Sequence, residues 1–141
     1  MPLDADELAL WHAFKRAGEA VRAAIGEEIT RATGLSDPEF GIVTRLDDAG
    51  GRMRQQELAA SMGWHRSRLS HQLTRMTDRG LVDRTGVGSG VDVVLTHAGR
   101  VAARRARPVH AAAVRRHLLA HLPDGLRDEL LAVLTTLAGP P

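Results

Sequence analysis

Six side chains able to bind anions or base edges crowd one short stretch of this chain. They are Arg66, Ser67, Arg68, Ser70, His71 and Arg75, all within "GWHRSRLSHQLTRMTDRG", which runs from Gly63 to Gly80. Arg79 adds a fourth arginine, and Asp78 is the only acid. Leu69, Leu73 and Met76 recur at the spacing of one helical face. A helix built on that seam turns its guanidinium, hydroxyl and imidazole groups the other way, a surface suited to duplex DNA. The forked guanidinium of Arg68 matches guanine O6 and N7 together, so Arg68 is the expected base reader. Ser67, Ser70 and His71 suit either base edges or phosphates. Arg66 and Arg75, with Arg84 beyond the helix, suit phosphates, which fix position rather than sequence preference. Cations in the first turn of a helix oppose its dipole, so Arg66 and Arg68 call for an anionic partner. Trp64, just ahead of the helix, is expected to pack over the turn.

The remaining composition bounds what carries this helix. The chain has 141 residues, 43% of them apolar, enough for one domain with a hydrophobic core. Aromatics are confined to Trp11, Phe14, Phe40 and Trp64, so the core is expected to be aliphatic. Net charge is only +2, but no acid occurs from Val93 to Leu122, where Arg100, Arg104, Arg105, Arg107, Arg115 and Arg116 lie. That asymmetry, and a basic complement that is all arginine except Lys15, fits a polyanionic partner, although a GC-rich coding sequence would give the same arginine bias. Cysteine is absent, which excludes disulfides, thiol redox sensing and thiolate metal sites. No apolar run is long enough for a membrane span or a signal core, so a soluble cytoplasmic protein is expected. There is no glycine-rich phosphate loop, Gly-x-Ser-x-Gly elbow, metal-hydrolase signature or plausible carboxylate pair. No enzyme, catalytic residue or cofactor is therefore expected.

The elements that must hold the basic helix can be read by period. Residues 4–33 form a long helix with Leu8, Trp11, Phe14, Gly18, Val21, Ile25 and Ile29 on one face, opened by Asp4, Asp6 and Glu7. Ser36 or Asp37 caps a second helix, with Pro38 in its first turn and Phe40, Val43 and Leu46 as its stripe. "RMRQQELAASMG" reads as a third, short helix with Leu58, Ala59 and Met62 inward. The basic helix is the fourth. "LVDRTGVGSGVDVVLT" then changes to a β-hairpin with a glycine-rich tip. Thr96 caps a further helix that Pro108 either kinks or restarts. Leu126, Leu130, Val133, Leu134 and Leu137 stripe the last helix. Two short helices joined at Met62–Gly63 and followed by a hairpin spell a winged helix-turn-helix. The expected class is mainly α with a small β-wing.

In "QQELAASMGWHRSRLSHQLTRMTDRGLVDR" and "VVLTHAGR" the chain resembles the MarR family of winged-helix transcription factors. The pairing of "RGLV" with "LT..G" at this spacing carries most of the resemblance. It implies one domain over residues 1–141, with a DNA-binding part at 35–100 flanked by dimerisation helices at 1–34 and 101–141. It further implies a homodimer on a pseudo-palindromic operator, a repressor by preference. Leu8, Trp11, Val21, Leu118, Leu130 and Leu134 are expected to divide between dimer and core. A small-molecule effector would lie between the dimerisation helices and the DNA-binding part, with Trp11, His12, Phe40 and His110 as candidate lining residues. One departure stands out. The family's wing usually carries an acid and an arginine near its tip, and here Ser89 stands where that arginine would be. Either Arg84 substitutes from the strand, or the protein leans more on its recognition helix. Alternatives are a winged-helix protein-interaction module without DNA binding, and a zinc-sensing regulator using His117 and His121, four apart on one expected helix. No metal site is expected.

Overall fold

The computed structural model describes residues 1–140. It contains α1 (Ala5–Thr33), α2 (Asp37–Asp48), β1 (Arg52–Arg54), α3 (Gln55–Met62), α4 (Arg66–Asp78), β2 (Val82–Val87), β3 (Gly90–Leu95), α5 (His97–His117), a 3-10 turn (Leu119–His121) and α6 (Leu126–Ala138). The three strands form one antiparallel sheet in the order β1-β3-β2, with Arg54 opposite Asp92 and Arg84 opposite Val93. The expected hairpin is thus two strands of three. "RMR" is the third strand rather than the start of a helix, because its backbone pairs with β3 before α3 begins at Gln55. Pro108 does not restart a helix, since α5 runs through it unbroken.

The chain forms two compact units, one of residues Gly26–His110 and one of Met1–Ile25 with the chain from Ala111 onward. The first holds nearly all of the core. Ile29, Ile42, Leu46, Leu58, Leu69, Leu73, Met76, Val82 and Val93 are fully buried there. Local signals set its helices. Ser36 caps α2 through a capping box, its hydroxyl accepting from Glu39 N while the Glu39 carboxylate accepts from Ser36 N. At the other end of α2, Arg107 donates to Thr44 O at 3.1 Å and to Asp48 Oδ1 at 2.6 Å, placing a cation at the negative end of the helix dipole.

The "LT..G" run has a physical reason. The Thr96 hydroxyl lies 2.7 Å from Gly80 O and accepts from Gly99 N at 3.0 Å, so it both caps α5 and fastens it to the turn after α4. Gly99 packs directly on the Leu81 carbonyl, and a methyl group there would collide with that oxygen and with Leu95 Cδ1. The wing, the end of α4 and the start of α5 therefore meet at one crossing that excludes any larger residue.

In the second unit several large apolar residues are exposed. Leu8, Leu10, Trp11 and Phe14 of α1, and Leu126, Leu131, Val133, Leu134 and Leu137 of α6, are exposed on the single chain. Trp11 stacks on Phe14 with ring centroids 6.3 Å apart, and Lys15 Nζ sits 5.5 Å over the Trp11 ring.

The Gly99 crossing predicts that Gly99→Ala destabilises the fold by about 2–3 kcal/mol, by overpacking against backbone. Urea unfolding should show a lower midpoint with an unchanged slope. An unchanged midpoint would mean that the crossing can open at no cost.

Candidate nucleic-acid interface

The position of α4 follows from what lies beneath it. Leu69, Leu73 and Met76 have no exposed surface, and Gln72 beside them is buried. Burying each apolar side chain favours the fold by about 1.5–3 kcal/mol. Gly63 (φ 65°) ends α3 in a left-handed turn, and Trp64 N donates to Ala59 O at 3.0 Å, so α4 starts at Arg66 in a fixed direction. The far end is tied down as well. Arg79 pairs with the buried carboxylate of Glu39 on α2, which is the structural role of the arginine in "RGLV".

The outer face carries the residues expected from the sequence. Arg66, Ser67, Arg68, His71 and Arg75 are exposed, and Ser70 is half-buried. The first turn of α4 has no acid and no side-chain cap, although His65 Nδ1 lies 3.2 Å from Ser67 Oγ. Arg68 does not hang free. Its guanidinium carbon lies 3.9 Å from the ring centroid of Trp64, one helical turn back, so Trp64 forms a platform for it. Arg75 donates to Gln72 Oε1 at 2.6 Å. Arg84 reaches from β2 and donates to Thr74 Oγ1 at 2.8 Å, bracing the wing against the recognition helix. Among the described residues, no ion pair reaches Arg66, Arg68, Arg75 or Arg84.

Between the wing tip and the starts of α3 and α4 lies an open groove of about 180 Å³, bordered by Gln55, Gln56, Arg66 and Ser89. The tip itself, Gly86 to Gly90, bears no charged side chain. A guanidinium nevertheless stands beside it. Arg54 of β1 donates from Nη1 to Val87 O at 2.8 Å, and its Nε lies 3.3 Å from Asp92 Oδ1. Arg52 faces the same carboxylate at 3.4 Å. Sequence reasoning missed both arginines. Only the strand character of "RMR" would have brought them to the wing.

The candidate effector residues fall in the two units. Phe40 and His110 meet, with ring centroids 4.8 Å apart. Trp11 and His12 belong to the second unit, where His12 borders a shallow depression along α1 with Lys15 and Glu19. The expected histidine pair is corrected. The α-helix stops at His117, and His121 closes a separate 3-10 turn, so the four-residue spacing no longer sets both rings on one helical face. No group of three or more histidine, aspartate or glutamate side chains among the described residues could hold a metal ion.

Residues 34–96 match a domain-family model described only as a domain of unknown function, DUF7343. No curated protein matches the sequence significantly. Solved structures resemble the chain over nearly its whole length. AbsC, a MarR family transcriptional regulator from Streptomyces coelicolor, is 31% identical, with 98% of this chain and 95% of that one covered and a TM-score of 0.90. A second MarR family regulator from the same organism, solved in complex with DNA, is 27% identical, with coverage of 98% and 89% and a TM-score of 0.90. The transcriptional repressor CouR, bound to p-coumaroyl-CoA, is 29% identical, with coverage of 97% and 98% and a TM-score of 0.80.

The Trp64–Arg68 stack predicts a coupling of about 0.5–1 kcal/mol in a double-mutant cycle of Trp64→Leu and Arg68→Ala, read by chemical denaturation. Strict additivity would show that the stack contributes nothing in solution.

Proposed function

The chain belongs to the MarR family of transcriptional regulators, and from that premise we propose that it binds a pseudo-palindromic DNA operator as a homodimer and acts as a repressor. The observation that carries this reading is the exposed surface of α4, where Arg66, Arg68 and Arg75 face solvent and, among the described residues, none forms an ion pair. Arg68 is assigned to guanine readout. Ser67, Ser70 and His71 supply hydrogen bonds to bases or phosphates, and Arg66, Arg75 and Arg84 take phosphates. Residues 35–100 are the DNA-binding part, and 1–34 with 101–141 are the dimerisation helices. The protein acts by binding, without catalysis, in the cytoplasm; no helix among the described residues is long and apolar enough to cross a membrane.

The exposed apolar residues of α1 and α6 support the dimer, because a patch of that kind on a lone chain calls for burial. Two-fold symmetry then sets two recognition helices about one helical turn of DNA apart. A small-molecule effector is proposed to act by favouring one spacing of those helices over another, with strength limited by its differential affinity for the two states. The Phe40–His110 pair is its first candidate contact. A protein-interaction module is less consistent with the chain, since it has no use for three arginines exposed on one short helix with no ion pair to any of them.

Wild-type protein should retain an operator selected from a random pool in the nanomolar range and bind mixed-sequence duplex more weakly, both falling steeply with salt. Arg68→Ala should cost about 1–3 kcal/mol on the selected site and relax preference at one base pair per half-site. Arg75→Ala should weaken all sequences alike. Retention of no duplex at low ionic strength would overturn the reading, and equal losses on selected and mixed DNA would remove Arg68 from base readout. Sedimentation should give a dimer that Leu131→Glu with Leu134→Glu converts to monomer; a wild-type monomer at working concentrations would overturn the dimer.

A further inference from the structure

The wing tip reaches beyond the body of the sheet, yet its own residues, Gly86, Val87, Gly88, Ser89 and Gly90, offer no cation. Arg84, the nearest basic residue along the hairpin, is held back on Thr74 of the recognition helix. The one guanidinium bonded to the tip arrives from a different strand. Arg54 lies 33 positions before Val87, whose carbonyl accepts from its Nη1. Three features fix it there. Pairing of β1 with β3 sets Arg54 directly opposite Asp92. The Asp92 carboxylate, only 11% exposed, holds the guanidinium from one side. Gly90 leaves room on the other, since a Cβ at that position would stand 2.6 Å from Arg54 Nη1.

We propose that Arg54 is the DNA-contacting cation of the wing tip, delivered there from β1 to receive a backbone phosphate. Arg52 and Arg54 share the carboxylate of Asp92, and Glu57, which borders the same depression as Arg54, forms no ion pair with it. The Arg54 side chain is also 43% exposed and so remains open to a second anion. One Nη1 N–H goes to the Val87 carbonyl and the Nε N–H faces Asp92, which leaves the second Nη1 N–H and both on Nη2 to donate. A guanidinium oriented in advance by a carbonyl and a carboxylate loses little side-chain freedom when it meets a phosphate. The surface divides accordingly. Arg68 of the recognition helix reads bases, Arg84 takes a phosphate at the base of the wing while bracing it against the helix, and Arg54 fastens the wing tip to the sugar–phosphate chain.

The inference rests on the DNA-binding reading above, and the experiment separates the two. Binding of a selected operator and of a mixed-sequence duplex is titrated across a salt series for wild type, Arg54→Ala, Gly90→Ala and the double variant, with thermal unfolding as a check on folding. Arg54→Ala should weaken both duplexes by about tenfold and flatten the dependence of log Kd on log salt by about 0.9 per protomer. Gly90→Ala changes no charge but displaces the guanidinium, so it should weaken binding in the same sense. In the Arg54→Ala background it should add nothing. Equal salt slopes for wild type and Arg54→Ala, while Arg75→Ala still weakens binding, would overturn the wing contact and leave the DNA-binding reading intact. A loss confined to particular flanking base pairs would overturn the phosphate assignment, and additive effects of Gly90→Ala and Arg54→Ala would overturn the positioning by Gly90. Failure of the wild type to bind either duplex would overturn the DNA-binding reading itself.

Discussion

Burial of one stripe of α4 governs what the rest of that helix can do. With Leu69, Leu73 and Met76 fully enclosed, the rotation of the helix is no longer adjustable. At roughly 100° per residue, Arg68 and Arg75 fall together on one flank, Ser67 and His71 lie opposite the seam, and Ser70 falls on the other flank. Turning the helix by a single position would drive Ser70 or Arg68 underneath. An unpaired buried guanidinium costs several kcal/mol, more than any regained contact returns. The apolar underside is thus what makes the basic face a face, and the two cannot vary independently.

A fixed rotation would count for little if the helix could slide or tilt. Its C-terminal end is tied to α2 by the Arg79–Glu39 pair, and Glu39 is also the capping-box residue that starts α2. One carboxylate therefore serves two elements. The turn that follows is clasped by the Thr96 hydroxyl at Gly80 O, and Gly99 lets α5 close onto Leu81. Each residue of "RGLV" and "LT..G" that stands out in sequence is accounted for by a contact at this one crossing. Arg84, bonded to Thr74, extends the same rigidity into the wing. Helix α4 and the wing are thus joined at two places within their unit, the turn at Gly80 and the Thr74 hydroxyl.

Much of this was legible from period and punctuation. The seam of α4, the cap at Ser36, the break at Gly63 and the cap at Thr96 all follow from local rules, and local rules sufficed because each is decided within a turn of helix. What escaped was decided at long range. "RMR" has no alternation strong enough to announce a strand, and its β character comes from pairing with residues forty positions away. Arg54 consequently looked like an ordinary residue at the start of a helix. The Trp64–Arg68 contact joins residues four apart and was readable in principle, beyond the packing over the turn expected of Trp64. The histidine pair failed for the opposite reason: a correct spacing was applied across the end of a helix.

The distribution of acids completes the account of charge. A net charge of +2 does not describe a weakly basic surface, because the acids are not spread evenly among the arginines. Glu39 is taken by Arg79, Asp47 and Asp48 by Arg107, Asp92 by Arg52 and Arg54, and Glu27 by Arg31. Each of these pairs lies away from the exposed surface of α4. Arg66, Arg68 and Arg75 are left facing solvent, two of them in a first turn whose dipole already disfavours them. An arrangement of this kind costs stability in the free chain, and Trp64 offsets part of it by offering Arg68 the negative face of its ring. Acids placed among these arginines would relieve the strain, and they would also have to be displaced or desolvated whenever a polyanion arrived. With Asp78 the single acid on α4 and, among the described residues, no ion pair formed to it, the repulsion stays in the free chain, and an anion meeting these arginines would relieve it without first displacing a carboxylate.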